Sequence, residues 1–575
     1  MPTLTWAGKE QATKEANSVP YRLLERDESL CYGDATAGNI IVQGDNLAAL
    51  KALMPYYRGR VRCIYIDPPY NTHSAFEHYD DSVEHSTWLS LMYPRLELLR
   101  EMLSEDGSIW ISIDDREYAN LKCIGDEIFG LDCFVSNISW QRTYSTRNDS
   151  KGIVNEVEHI LAYGKKPDWQ PNKLPRTAEM DKIYKNPDND VERWTSGDPC
   201  AAGGADHQGM VYAIQHPFTG KMLYPSRDAH WRYKQEDVLE IMCGWCEYEL
   251  RDLNDADRRA EVCGISPDTV RQNVQGVVLS HPLEESKQKA RAIYDRGQWP
   301  RFFFTKNGQG GIRRKTYLQN VGGKPPTNFW PYSEVGHTDE AKKEILALFN
   351  NKSPFATPKP ERLIQRVIFL ATNPGDLVLD SFLGSGTTAA VAQKMNRRYI
   401  GIEIGEHAVT HVVPRLRKVI DGEEGGISKA ENWQGGGGFS FYRLGEEVFT
   451  ADGQIRKGVK FQTLAAHLWM KATGTPYGSG KTDNPGIVRE TMSDYGQNSP
   501  LLGIHEGTAY YLLYNGILGD RHPDGGNVLT KKVLAVLPLH DGPRIIYGES
   551  SRLHEETLKA MGIIFRQIPK EIPAN

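Results

Sequence analysis

Apolar residues along this chain follow two rhythms. Short runs of aliphatic and β-branched residues end in polar or glycine-rich turns, and longer stretches repeat apolar residues at helical spacing. "GNIIVQGDN" (38–46) reads as a strand closed by a polar turn, and "LAALKALMPYY" after it as a helix. "VRCIYI" (61–66) predicts a second strand and "WLSLMYPRLELLREML" (88–103) a helix kinked at Pro94. "GSIWISIDD" (107–115) and "EHILAYGK" (158–165) predict further strands. The alternation returns after residue 357. "PERLIQRVIFLA" (360–371) reads as helix, "DLVLDSFLGSGTTAAVAQKM" (376–395) as strand, glycine turn and helix, and "RRYIGIEI" (397–404) as strand. Strands alternating with helices imply an α/β fold around a mostly parallel sheet.

The rhythm is lost from about 166 to 335, a region rich in Pro, Gly, Trp, Tyr and Arg. "DGEEGGISKAENWQGGGG" (421–438) reads as a flexible linker. Beyond it, "TAYYLLYNGIL" (508–518), "KKVLAVLPLH" (531–540) and "RIIYGES" (544–550) are strand-like runs of a small separate α+β module. There is no internal repeat. The expected division is 1–165 and 336–420 as two halves of one α/β domain, 166–335 inserted between them, 421–438 as linker and 439–575 as a C-terminal interaction domain.

Length and composition narrow the class. A chain of 575 residues exceeds the usual size of one domain. Its 25% charged and 39% hydrophobic residues suit a soluble globular protein. No apolar run is long enough for a membrane span, and the N-terminus lacks the apolar core of a signal peptide. Eight scattered cysteines fit a reducing cytosol, so a cytoplasmic location is expected. The net charge of −6 speaks against a protein coated in basic residues but leaves room for local patches.

Two stretches carry chemistry. The strand at 61–66 stops at Asp67-Pro68-Pro69-Tyr70. Two prolines fix two φ angles and remove two N–H donors, leaving rigid carbonyls beside a carboxylate and a ring. Such a segment suits a flat polar group. In the second stretch, a strand ends at Asp380, a turn follows with Phe382, Gly384 and Gly386, and a helix begins at Thr387-Thr388. Glycines allow close approach of a ligand, and a helix N-terminus offers free N–H groups. Glu403, seventeen residues after Gly386, ends the next strand, where an acid can bind two ribose hydroxyls.

"GDNLAAL", "IYIDPPYNT", "ISIDDREYANLK", "TPKPERLIQRVI" and "LDSFLGSGTTAAVA" together resemble the amino-group DNA methyltransferases that use S-adenosylmethionine. The order, with the catalytic motif first, a variable region next and the cofactor motif last, resembles their β class, above all the modification subunits of type III restriction–modification systems. The resemblance spans about residues 20–420. Ser381 stands where many relatives have proline. The resemblance implies a Rossmann-like methyltransferase fold with an inserted target-recognition region, and methyl transfer to the N6 amine of a flipped adenine in double-stranded DNA. It implies that Asp67 and the Pro68 carbonyl hold the amine, while Pro69 and Tyr70 complete the catalytic motif and the tyrosine stacks on the base. It assigns Gly384, Gly386, Thr387, Thr388 and Phe382 to the cofactor turn and Glu403 to the ribose. Asp45 would face the cofactor adenine, Lys359 its carboxylate and Asp380 its ammonium. It further implies a homodimer, and a restriction subunit with helicase and nuclease parts as partner of the C-terminal domain. No metal is needed. The rival readings are a solitary or phage-borne adenine methyltransferase, a cytosine-N4 methyltransferase, an RNA base methyltransferase and a catalytically silent DNA-binding subunit. Relatives acting on cytosine N4 usually carry Ser where this chain has Asp67.

Other motifs weigh less. Pro199-Cys200 resembles a cytosine-C5 nucleophile but lies in the variable region. "GTPYGSGKT" (474–482) has its first glycine one residue too early for a phosphate-binding loop. Cys243 and Cys246 in "CGWC" form half a zinc site with no second pair of that spacing. The segment 287–317 carries nine Lys/Arg against one acid, with six aromatics. Charge interleaved with rings suits nucleic acid, and Arg301, Lys306, Arg313, Arg314 and Lys315 are the expected DNA contacts.

Overall fold

Ten strands of the chain's largest sheet take up most of the apolar runs. They are β1 (Arg22–Arg26), β2 (Ile40–Gln43), β3 (Val61–Ile66), β4 (Leu103–Ile113), β5 (Phe134–Gln141), β6 (Val157–Gly164), β7 (Phe329–Trp330), β8 (Leu377–Asp380), β9 (Arg398–Glu403) and β10 (Gly438–Glu447). The computed structural model describes residues 3–34, 36–71, 84–144, 153–349, 355, 357–477, 499–514 and 527–571. The strand order is β1-β10-β2-β9-β8-β3-β4-β6-β5-β7, and Tyr32–Gly33 adds a short strand against β10. Neighbours from β10 through β4 all run parallel, while β6 is antiparallel to both β4 and β5. Strands from the second half of the chain, β8 and β9, sit between β2 and β3 from the first.

Both faces of the parallel strands are covered, which is why they read as continuous apolar runs. Ile64, Ile66, Leu379, Ile400 and Ile402 face a core shared with helices α1 (Asn46–Tyr57), α2 (His85–Met102) and α7 (Phe461–Thr473), through Leu53, Leu96 and Trp469 among others. Helix α2 runs through Pro94 without ending. Helices α4 (Glu361–Ala371), α5 (Thr387–Lys394) and α6 (Val413–Ile420) also bury their apolar faces. Helix α3 (Asp115–Phe129) follows β4. No helix among the described residues is long and apolar enough to cross a membrane.

The chain divides into two units, residues 1–172 with 326–575, and residues 173–325. The inserted unit is narrower than the expected 166–335, because Phe329–Trp330 pairs with β5 and Trp330 is buried. Within the insert, two larger sheets and a short one surround a core of Trp194, Phe218, Trp231, Trp245 and Phe302–Phe304. Rings rather than periodic aliphatic residues build it, which accounts for the missing pattern.

Two expectations change. Residues 421–438 are not a flexible linker. Ile427 is buried and its N–H donates to Glu361 at 3.0 Å, and the Trp433 indole donates to the Val419 carbonyl at 2.7 Å. Gly437 takes φ 78°, a left-handed conformation that favours glycine, and the Gln393 side chain lies against it. Nor is 439–575 detached. β10 joins the main sheet beside β2, and α7 belongs to its core. The remainder forms a four-stranded sheet, β11 (Leu501–His505), β12 (Thr508–Leu512), β13 (Arg544–Gly548) and β14 (Ile563–Gln567), in that order. "KKVLAVLPLH" is not a strand. Lys531–Val536 is a helix, started by the Thr530 side chain accepting from Val533 N–H and followed by Pro538.

Candidate functional site

Acidic residues stand at the carboxyl ends of four adjacent parallel strands. Asp45 follows β2, Glu403 ends β9, Asp380 ends β8 and Asp67 follows β3. Open α/β sheets bind ligands along this edge.

The glycine turn is a braced cradle. Asp380 Oδ1 accepts the Phe382 N–H at 2.9 Å and Oδ2 the Thr388 hydroxyl at 2.6 Å. Gly384 (φ 55°) and Gly386 (φ 83°) are both left-handed, a conformation other residues adopt at a cost. A Cβ on Gly384 would stand 3.2 Å from the Phe355 ring. Glu403 accepts the Gly384 N–H at 2.7 Å and the Gly405 N–H at 3.0 Å. From below, Arg415 donates to the Thr387 hydroxyl at 2.9 Å and to Glu361 at 2.8 Å, and Glu361 also receives Lys394 at 2.8 Å. This buried network ties α4, α5 and α6 to one another.

Burial pushes the Asp380 carboxyl up to about 7, and the nearby charges of Asp67 and Glu403 add to the rise against the two hydrogen bonds. Among the described residues Asp380 makes no ion pair. A carboxylate held in a low dielectric beside two others, without a cation, fits a ligand that brings positive charge. The positive-φ glycines fit close approach of that ligand to the backbone.

The second centre surrounds Asp67. The Lys359 ammonium donates to both its oxygens, at 2.7 and 2.6 Å, and to the Tyr70 oxygen at 2.9 Å. The Tyr70 hydroxyl donates to Asp67 Oδ1 at 2.7 Å and lies 3.2 Å from Glu158 Oε2. Arg142 pairs with the other Glu158 oxygen at 2.9 Å, and Lys359 stands 3.6 Å from Glu158. Burial works to lower the Lys359 pKa, but Asp67 and Glu158 outweigh it and the net direction is up. Burial, then the charges of Asp67 and Glu158, hold the Tyr70 hydroxyl well above its ordinary value, so it stays protonated.

The proline pair is pinned from outside. Trp88 donates to the Pro69 carbonyl at 2.7 Å, and Arg116 to the Asn71 carbonyl at 2.5 Å. The Pro68 carbonyl accepts no hydrogen bond among the described residues. A carboxylate offers about four acceptor positions. Among the described residues, Lys359 and Tyr70 fill three on Asp67, leaving one on Oδ2. One free position on Asp67 and a free carbonyl at Pro68 suit the two hydrogens of an amine.

The structure thus brings Asp67, Tyr70, Asp380 and Glu403 to one sheet edge, with the glycine turn beside them. It treats two predicted residues differently. Lys359 is committed to Asp67 and Tyr70 instead of waiting at the cofactor turn. Asp45 also caps α1 through the Ala48 N–H at 3.0 Å and takes Arg95 at 2.8 Å, a structural task that uses one acceptor position on each oxygen of a part-exposed carboxylate. Sequence reasoning missed Glu158, Arg142, Glu361 and Arg415. The one signal for Glu158 was a carboxylate near the start of an otherwise apolar strand.

In the inserted unit, Arg301 and Lys306 are exposed, and Arg301 lies over the Tyr233 ring at 5.2 Å. Arg313 and Arg314 are part-exposed and donate to Ser196 Oγ at 3.1 Å and the Asp198 carbonyl at 3.0 Å. Lys315 must be withdrawn from the DNA contacts. Its side chain is fully buried, with Nζ 2.5 Å from both Asp188 and Asp190. Burial raises Cys200 to about 11, far from a reactive thiolate. No group of metal-ligating residues occurs among the described residues, Cys243 and Cys246 included. Gly474 closes α7 with φ 69°, and residues 478–482 of the apparent phosphate loop lie outside the described residues.

Residues 61–413 match the DNA methylase family. The chain is 32% identical over 441 residues to a Haemophilus influenzae protein named "Probable type III restriction-modification enzyme HindVI Mod subunit", covering 74% of this chain and 56% of that one. It is 30% identical over 426 residues to the StyLTI Mod subunit of Salmonella typhimurium, a type III restriction-modification enzyme, covering 68% and 56%. It therefore spans a little over half the length of these relatives. Among solved structures, the cytosine-N4-specific PvuII DNA methyltransferase aligns with TM-score 0.32 and 14% identity, over 66% of this chain and 86% of that one. That likeness is too loose to bear on function.

Proposed function

Since the chain belongs to the DNA methylase family, we propose that it transfers a methyl group from S-adenosylmethionine to the N6 amine of an adenine turned out of double-stranded DNA, in the cytoplasm, as the modification subunit of a type III restriction–modification system. The observation that carries this reading is the free acceptor pair, one position on Asp67 and the Pro68 carbonyl, set at the same sheet edge as the uncompensated Asp380.

S-adenosylmethionine supplies a methyl group on a cationic sulfur. The protein's part is to hold and orient. Asp380, Glu403 and the turn at Gly384–Thr388 would hold the cofactor, with Asp380 taking its ammonium. An adenine amine is a poor nucleophile because its lone pair is delocalised into the ring. Asp67 and the Pro68 carbonyl each accept one N–H, which holds the hydrogens out of the ring plane and returns lone-pair density to nitrogen. The Tyr70 ring stacks on the base, an interaction worth ~1–3 kcal/mol per base elsewhere. With the reacting atoms aligned, direct displacement needs no covalent enzyme intermediate.

Arg301, Lys306, Arg313 and Arg314 supply phosphate contacts from the inserted unit, which selects the sequence. A second copy of the chain and a restriction subunit complete the proposed assembly. The test is to incubate the protein with methyl-labelled cofactor and DNA, digest, and identify the labelled nucleoside. N6-methyladenine is expected. Label found only on cytosine N4 would overturn the adenine assignment, and label found only in RNA would overturn the DNA assignment.

A further inference from the structure

The carboxylate of Glu158 has no part in the acceptor arrangement just described, yet it is buried at the centre of it. Its side chain is 7% exposed and it sits on β6, a strand antiparallel to its neighbours. One oxygen faces the Tyr70 hydroxyl and the other faces Arg142, whose side chain is 41% exposed. The Tyr70 hydroxyl therefore stands between two carboxylates, 2.7 Å from Asp67 and 3.2 Å from Glu158. Lys359 donates to the Tyr70 oxygen and so leaves it one lone pair and one proton to exchange.

We propose that Glu158 is the terminal acceptor for the proton lost by the methylated amine, delivered from Asp67 through the Tyr70 hydroxyl. The inference rests on the adenine-methylation reading above. Once the target nitrogen has formed its bond to the methyl carbon, it is cationic and carries one proton too many. Asp67 Oδ2, the oxygen with the free acceptor position, takes that proton. A half-turn of the carboxyl about Cβ–Cγ presents the O–H to Tyr70. Tyr70 accepts it while its own proton passes to Glu158. Asp67 returns to the carboxylate, Tyr70 is unchanged, and Glu158 ends protonated beside a part-exposed arginine. No electron is gained or lost by the protein, and no further reactant is required. Lys359 keeps the negative charge of Asp67 compensated at the start and at the end.

Tyr70 would then act twice, with its ring on the base and its hydroxyl in the relay, and the two roles are separable. Tyr70→Phe keeps the ring and removes the hydroxyl. Glu158→Gln keeps the shape and removes the proton acceptor. The full-length protein carrying either substitution, or both, is assayed by single-turnover methyl transfer from pH 5.5 to 8.5, with cofactor and DNA affinities measured alongside. Each single change should slow transfer at least about tenfold at neutral pH, within the range general acid–base groups supply. The double variant should be no slower than the slower single one, because both changes break one path. Affinities for cofactor and DNA should stay within about twofold in both variants. Wild-type rates in both variants would overturn the relay. So would multiplicative losses in the double variant, which mark separate roles, or a loss carried by weaker cofactor or DNA affinity, which marks a merely structural one. Failure of the methylation reading looks different, because the wild-type protein itself would then yield no N6-methyladenine.

Discussion

Lowering the pH from 8 to 6 should weaken S-adenosylmethionine binding about tenfold through one carboxylate, Asp380. In the ligand-free protein this group titrates at about 7, against an ordinary 3.8. That displacement corresponds to roughly 4 kcal/mol disfavouring the ionised form, at 1.36 kcal/mol per unit. A cationic ligand facing Asp380 requires the ionised form, so binding must release a proton wherever the free protein holds one. By linkage, about 0.1 proton should leave at pH 8, about 0.5 at pH 7 and about 0.9 at pH 6. Calorimetric titration in buffers of different ionisation enthalpy counts these protons directly. Asp380→Asn should bind more weakly at pH 8 and lose the pH dependence between 6 and 8. The sign for stability runs the other way. The folded-state value is raised above the unfolded one, so the folded protein binds more protons in between, and this contribution to ligand-free stability declines from pH 4 to 7. Glu344 and Glu97, both raised to about 7 and led by burial, act in the same direction. The proton count on binding is therefore the cleaner measurement, because it isolates groups that meet the ligand. A flat affinity from pH 6 to 8 with no buffer-dependent heat would refute the assignment of Asp380 to the cation.

Four further outcomes are expected. Asp67→Ala should lower methyl transfer by about 10²–10⁴, the scale of a lost proton acceptor, while cofactor affinity stays near wild type; lost affinity with normal turnover would reverse the two roles. Lys315→Ala should destabilise the inserted unit by about 3–5 kcal/mol, as expected when one partner leaves a buried charge network, read by urea unfolding of tryptophan fluorescence, since the Trp194 ring lies 5.1 Å from its ammonium. Arg313→Ala with Arg314→Ala should reduce the salt slope of DNA binding by about two, near 0.9 for each lost phosphate contact; an unchanged slope would return these residues to a solvated face. A chain ending at Gly435 should fail to fold rather than merely lose a partner. It loses β10 with the buried Phe439 and Phe441, each worth about 1.5–3 kcal/mol, and the whole of α7, against a typical total stability of about 5–15 kcal/mol. A soluble, cooperatively melting product would contradict this.

The parts of the fold and site that could be read in the sequence are those whose cause is local. A strand that ends in Asp-Pro-Pro-Tyr or in Asp-x-x-x-Gly-x-Gly announces both its own end and the ligand edge, because the residues that stop the strand are the residues that face the ligand. Val61–Ile66 has the predicted bounds, and the turn at Gly384 and Gly386 has the left-handed angles that glycine permits. Five of the six parallel strands follow from the alternation itself, and β10 does not, because its partner β2 lies some 400 residues away. Where a local pattern was misread, a distant neighbour had changed its meaning. Four glycines near a run of acids look like a tether. They are instead the place where Gln393 packs against the backbone at Gly437, and where Glu423 receives the buried Lys394.

The same reasoning separates Lys315 from its two arginine neighbours. All three are basic residues in one strand, and composition treats them alike. What distinguishes them lies 127 and 125 residues earlier, in Asp188 and Asp190, which close over Lys315 and remove it from solvent. Glu158 is the converse. It stands 88 residues from Tyr70, in a strand that reads as ordinary core, and becomes chemical only because β6 brings it to the tyrosine. A buried charge must find a partner, and partners that lie far apart in sequence are fixed by sheet order rather than by motif. The motifs therefore locate the reacting groups, and the strand order determines which second carboxylate those groups answer to. It follows that substitutions at Glu158 and Arg142 test the topology of the sheet as much as the chemistry of the site.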